Sequence, residues 1–505
     1  MKKYYFLLMA TAGFIACTND SLVPENSDQA TETEELAIGF DTYTSSSTKA
    51  TTRSTYDGNG PFSADDLKGT YSADNPTGGF GIFAYTHLGT LTTLGASYFM
   101  YNQQVTYDPS EGVNAWKYTP IKYWPNMTQG TSAGSGYTAY TDRWTGNTAY
   151  TDNKTQYVSF FAYAPYVKTS DIETTAGGEG TTAYAVGDIK NGDSGHKEYG
   201  VTNISTVEAS GTTTITYKVN PNSSAAEDLL WGTAPLGGIS YRAVSGDYIN
   251  RRAGLPLINM LKPSTHTPMK FLFQHALTAM SMDIQLAVDQ VDASTPESPT
   301  TPDFGDGKTK VFVKSIALVP KDKTKFGFAT TGKLNLNNES PNVPKWEDTG
   351  ISLTSGGTNP GLLVNAISSG EGAGNVTLPT ALTNTADQPG VKAQSATMVF
   401  GSYGSDATID TDDTPLIFIP VFNTVTNQTL TITIVYEVVT TDASNTANSS
   451  TVENTISKDV VLKGFRPGRY YKLHLLLGLT SVKIDADALD WAVEEQVVDL
   501  PRNLD

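Results

Sequence analysis

The chain has 505 residues, of which only 17% are charged, and 34 Lys and Arg against 52 Asp and Glu leave a net charge of −18. That length holds two or three domains with ample buried core. The acidic balance excludes nucleic acid as a partner, because phosphate binding needs clustered Lys and Arg, and it argues equally against docking on anionic lipid.

Residues 1–16, MKKYYFLLMATAGFIA, place Lys2 and Lys3 before an apolar stretch too short to span a bilayer. The stretch ends at Cys17, the one cysteine of the chain. A lone cysteine excludes an internal disulfide and any cysteine-based zinc cluster. The segment resembles a bacterial lipoprotein signal, with Phe14 where the pattern prefers Leu. The resemblance implies that Cys17 becomes the acylated N-terminus, and several acyl chains anchor stably. Residues 17–35 are polar, acidic and Pro-containing and read as a flexible tether. The expected location is the outer membrane or cell surface.

The first strand candidate follows. Leu36, Ile38 and Phe40 alternate with small or polar residues, the period of a half-buried strand. Residues 45–60 are rich in Ser and Thr without apolar periodicity, so Lys49 and Arg53 are expected to be accessible to a trypsin-like protease. Further strands are predicted at 79–85, 98–101, 104–107, 116–118, 157–164 and 213–219, with polar loops over 126–155 and 167–200. Residues 227–232, EDLLWG, read as the last strand of this half. The stretch 233–266 is interrupted by Gly and Pro and reads as a domain boundary.

The second half opens with strands at 269–277 and 282–288 and continues at 310–319, 416–422, 430–438, 470–477 and 482–486. Loops are predicted at 289–308 and 337–395. Many short strands with turn signals, and few helix caps before 3.6-period runs, indicate an all-β chain. The simplest architecture is two tandem β-sandwich domains with long loops, 36–250 and 251–505, preceded by the signal.

The ordered series of segments resembles the fimbrillins, lipoprotein subunits of type V pili. It comprises Cys17, IGFDTYT (38–44), Thr52-Arg53, GGFGIFAY (78–85), KYTPIKYWPN (117–126), YVSFFAYAP (157–165) and EDLLWG (227–232). FLFQHALTAMSMDI (271–284) and GFRPGRYYKLHLLLGLTSVKIDADALDW (464–491) complete it. The resemblance implies two transthyretin-like sandwiches, export as a lipoprotein, and a cut by an arginine-specific protease beyond the first strand. The departing strand then leaves a groove that a neighbouring subunit fills with a C-terminal strand. Carried onto this chain, Leu36, Ile38 and Phe40 belong to the leaving strand and Arg53 is the cleavage site, with Lys49 as the alternative. Val493, Val497 and Leu500 are candidates for the donor strand. The implied partners are other pilus subunits, the protease, the outer membrane through the lipid, and surface glycans or proteins of a host or another bacterium. Loop-rich sequence also suits a tip or anchor subunit, and a monomeric surface lipoprotein that binds a glycan or another ligand is the alternative.

Nothing points to catalysis, a cofactor or a metal. The five histidines lie in no metal-ligand spacing, and no nucleophile elbow or Walker loop occurs. Gly78-Gly-Phe-Gly lacks the strand–helix context of a phosphate cradle. His275 is expected to be structural, hydrogen-bonding a turn. The acidic run Asp410–Asp413 lacks the Gly and distal Glu of a calcium loop and reads as an exposed loop. Tyr101, Tyr107, Trp116, Tyr118, Tyr123, Trp124 and Tyr163 concentrate aromatic rings in the first half, with core packing as the expected role and a glycan platform as the alternative.

Overall fold

The computed structural model describes residues 36–44, 67–68, 78–88, 97–108, 110, 116–125, 138–141, 148–151, 156–168, 199–204, 213–220, 226–244, 247–286, 309–365, 375–377, 397–400, 415–442, 445–477 and 482–490. Cys17, Lys49, Arg53, Asp410–Asp413, Val493, Val497 and Leu500 lie outside them.

The architecture is all-β. The first part contributes β1 (Phe40–Thr44), β2 (Phe80–Leu88), β3 (Ser97–Tyr107), β4 (Trp116–Lys117), β5 (Thr138–Thr141), β6 (Thr148–Thr151) and β7 (Gln156–Ala164). It continues with β8 (Gly200–Ile204), β9 (Thr214–Lys218), β10 (Leu230–Thr233), β11 (Ile239–Arg242), β12 (Tyr248–Arg251), β13 (Leu257–Met260) and β14 (Met269–His275). An eight-stranded sheet runs β1-β14-β10-β7-β2-β3-β4, with β13 beside β7. Alternation divides its side chains between two faces. Phe80, Ile82, Phe160, Phe271 and Phe273 fill one core with Ile239, Tyr241 and Ile249 of the β11–β12 hairpin. Phe83, Tyr85, Phe161, Tyr163 and Trp231 enter a second core on the other side.

The Gly-rich start of β2 serves this packing. Gly79 has φ +79°, and a Cβ there would lie 2.1 Å from the Val105 carbonyl oxygen. Gly81 lets the Tyr163 ring cross the strand, where a Cβ would lie 2.2 Å from its Cε1.

The remaining strands are β15 (Thr278–Leu286), β16 (Thr309–Pro320), β17 (Phe326–Ala329), β18 (Thr331–Asn335), β19 (Lys345–Glu347), β20 (Leu362–Asn365) and β21 (Asn375–Thr377). Then come β22 (Thr397–Phe400), β23 (Leu416–Phe422), β24 (Gln428–Asp442), β25 (Asn445–Leu462), β26 (Arg469–Leu477) and β27 (Val482–Asp490). One sheet runs β17-β23-β15-β26-β27 with β22 on β15, and a second runs β21-β20-β16-β24-β25. Met280, Met282, Leu473 and Leu475 of the first share a core with Ile316, Leu318, Ile432 and Ile434 of the second, the interior of a sandwich.

Four stretches differ from the sequence reading. The loop expected over 337–395 contains β19, β20 and β21, short strands that depend on their pairing partners rather than on an apolar pattern of their own. The loop expected over 126–155 contains the β5–β6 hairpin, whose Thr-Ala-Tyr-Thr strands carry no large aliphatic residue to mark them. EDLLWG does not close the first half. β13 and β14 follow it into the same sheet, and the change of sheet comes at Ala276–Leu277 between β14 and β15. Residues 233–266, weakly patterned because Gly and Pro break their runs, supply the β11–β12 hairpin that covers the first core. The parts are also joined by a sheet neither half owns, β19-β18-β9-β8.

Candidate functional site

The first strand is built as a strap of two unlike pieces. Leu36, Ile38 and Phe40 are 1%, 2% and 4% exposed, while Ala37 and Gly39 face solvent. Residues 36–38 hook antiparallel onto the loop after β4. The Ile38 N–H donates to the Lys122 carbonyl (2.9 Å) and the Trp124 N–H donates to the Leu36 carbonyl (2.8 Å). The chain then turns onto the sheet, where the Met269 N–H donates to the Gly39 carbonyl (2.8 Å). From Phe40 to Thr44 it runs parallel to β14, in the register Phe40–Met269 to Thr44–Phe273.

The slot under the strap is aromatic. The Phe40 ring lies 5.4 Å from Tyr118, 6.0 Å from Phe160 and 6.2 Å from Phe271, centroid to centroid. Trp124, itself 1% exposed, packs edge-on against Phe160 at 5.7 Å. Tyr118 closes the slot with its phenol, which donates to the Ile38 carbonyl (2.8 Å) and accepts from the Lys122 N–H (3.3 Å). Burial pushes this phenol well above its ordinary pKa. Outside, Asp41 and Lys270 approach to 4.0 Å, but both are about 40% exposed and add little.

Because β1 is the terminal strand of the sheet, its other neighbours do not depend on it. Removing it would uncover the Met269–Phe273 edge of β14 and the apolar slot together. Burial of each of the three apolar side chains is worth about 1.5–3 kcal/mol. An uncovered ladder edge of this kind is a template for another strand. The arrangement can therefore exchange one strand for another without dismantling the sheet.

The alternation of 36–40 was readable from sequence. The hook was not. Its signal lies in KYTPIKYWPN, where Tyr118 and Trp124 enter the wall while Ile121 and Tyr123 stay 47% and 36% exposed. Of the other aromatic candidates, Tyr163 is fully buried and Tyr101, Tyr107 and Trp116 are partly buried. Core packing accounts for them.

His275 is structural, but its partner is a side chain and not a turn. Its Nδ1 lies 2.7 Å from Oδ2 of Asp228, both groups being buried, and Asp228 Oδ1 accepts from the Leu229 N–H (2.7 Å). The acidic residue of EDLLWG thus clamps the end of β14 to the start of β10. Among the described residues no group of His, Cys, Asp and Glu could hold a metal ion. No described helix is long and apolar enough to cross a membrane.

No protein-family model matches the chain, and no curated protein does. Among solved structures the chain is similar to a fimbrial protein from Bacteroides vulgatus at 19% identity and a TM-score of 0.42, covering 90% of this chain and 99% of that one. It is also similar to a candidate cell adhesion protein from Bacteroides uniformis, at 11% identity and a TM-score of 0.30, with 90% and 99% covered. A third, from Parabacteroides distasonis, stands at 9% identity and 0.28, with 90% and 96% covered.

Proposed function

We propose that the chain is an adhesive and structural subunit of a cell-surface fimbria, of the fimbrillin kind, without catalytic activity. It is exported as a lipoprotein through Cys17 to the outer membrane. Cleavage after Arg53 by an arginine-specific protease separates the body from the lipid and frees the first strand. A strand from the tail of a neighbouring subunit, with Val493, Val497 and Leu500 as the candidate side chains, then occupies the slot.

The single observation that carries this reading is the strap itself. Three buried apolar side chains sit on a terminal, separately connected strand whose far end leads towards the Ser/Thr-rich segment that contains Arg53. The ordered motif series of the sequence supports the same reading.

The test is digestion of the purified chain with an arginine-specific protease, beside the variant Arg53→Ala. The wild type is expected to be cut within 45–60 and to form assemblies that resist SDS, and the variant to stay monomeric. A chain that is cut at Arg53, loses residues 36–44 and remains a monomer overturns the proposal.

A further inference from the structure

Away from the strap, a cleft of about 850 Å³ opens between β12, β13 and the turn after β18. That is within the size range of small-ligand sites, roughly 300–1,000 Å³. Its described lining includes Tyr157, Tyr248, Asn250, Arg252, Asn338 and Glu339.

Both walls are fixed in advance. On one side the Arg251 guanidinium donates to the carbonyls of Ile258 and Asn259 and, at 2.7 Å, to that of Asn250, which ties β12 to β13. The Asn259 N–H donates to Ser159 Oγ (2.9 Å), and that oxygen lies 2.8 Å from Nε2 of His87. His87 in turn stacks on Tyr157 at 5.9 Å and 17° and holds its ring flat. On the other side Asn338 donates from Nδ2 to the carbonyls of Gly254 (3.0 Å) and Ser340 (2.7 Å). A site assembled before its ligand arrives loses little order on binding.

The chemistry of the lining selects the ligand class. Amides and two phenols offer donors and acceptors together. Neither sign of charge prevails, since Asp247 and Glu339 stand with Arg251 and Arg252, and Glu339 is joined to Lys345 at 2.7 Å. Arg251 is turned to backbone carbonyls. The lining therefore carries no net charge that would favour an anion or a cation. Tyr248, 75% exposed, and the braced Tyr157 supply flat apolar surfaces beside these polar groups. One buried acceptor is unmatched: Asn338 is 3% exposed, and its Oδ1 has no hydrogen-bond donor among the described residues. Flat apolar faces flanked by neutral donors and acceptors match a sugar ring.

We infer that this cleft binds a neutral, polyhydroxylated saccharide. The site shares no residue with the strap, so binding is independent of strand exchange.

The test uses the full, uncut chain on an array of neutral and sialylated oligosaccharides, followed by titration calorimetry with the strongest neutral binder. Tyr248→Ala and Asn250→Ala, both at exposed positions, are expected to weaken binding at least tenfold while protease-triggered assembly proceeds as in the wild type. Absence of binding to any neutral oligosaccharide overturns the inference. So does binding confined to sialylated glycans, or neutral binding that both variants leave unchanged. Failure of assembly with sugar binding intact would count against the fimbrial reading alone.

Discussion

Tyr118 ties the first strand to the body through one proton. Its phenol donates to the Ile38 carbonyl in a buried site, and losing a buried partner costs about 1–3 kcal/mol. Tyr118→Phe should therefore loosen the strap without changing the fold, seen as faster amide exchange over 38–44 and quicker protease-triggered assembly. Burial also raises the phenols of Tyr163, Tyr217 and Tyr241 above the ordinary value of 10.0. A group whose folded pKa is raised contributes stability that is complete below its unfolded pKa and declines as pH rises through the folded one. Stability should thus be flat below about pH 10 on this account and fall above it. An absorbance titration of tyrosinate should resolve an early exposed class and a late class that ionises with unfolding. A single class titrating near 10 would contradict the buried environments. At this scale the sequence was a fair guide to His275 as structural. It could not reveal Asp228 as the partner, because nothing local marks a contact between residues 47 apart.

At the scale of elements, β1 is the part whose exchange matters. Phe40→Ala removes the ring that meets Tyr118, Phe160 and Phe271, and truncations of buried Phe cost about 3–5 kcal/mol. The uncut variant should bind a hydrophobic dye that the wild type does not, and a protein cut at Arg53 should shed the variant strand faster. A synthetic peptide of residues 36–44 added to cut protein should occupy the slot and block assembly, whereas the same peptide with Phe40→Asp should not. Equal inhibition by both would show that the aromatic slot is not what recognises the strand. Period-two alternation made the strap at 36–40, β2, β7 and β14 legible, since each presents large apolar residues at every second position. It failed for β5, β6 and β11–β13. Their strands are four residues long and depend on pairing partners for their identity, so local pattern carries little of the information. Nor did it show that β1 runs parallel, a property of the distant strand it meets.

For the whole molecule, the decisive element is the sheet β19-β18-β9-β8. Tyr217 and Ile215 of β9 share one buried core with Trp231 and Phe161 of the large sheet and with Leu334, Phe418 and Leu473 further along the chain. A core that spans both parts should melt as a unit. Calorimetry of the uncut chain is expected to give one cooperative transition, and a chain ended after β14 should be insoluble because β9 would lose β18. Two well-separated transitions would instead mark independent bodies. The all-β character was legible in the many short apolar runs with turn signals between them. The mingling of the two parts was not, because β18 pairs with β9, more than 100 residues earlier.

The parallel union of β1 with β14 also sets an order of events in the life of the chain. Phe40 meets Met269, so the first strand, once synthesised, has to wait for about 230 further residues before its partner exists. Until then the rest of the sheet has every strand it needs except one. The strap is synthesised near the start and seated at the end, as a latch placed on a finished sheet, and a latch seated last is the part that can be withdrawn first.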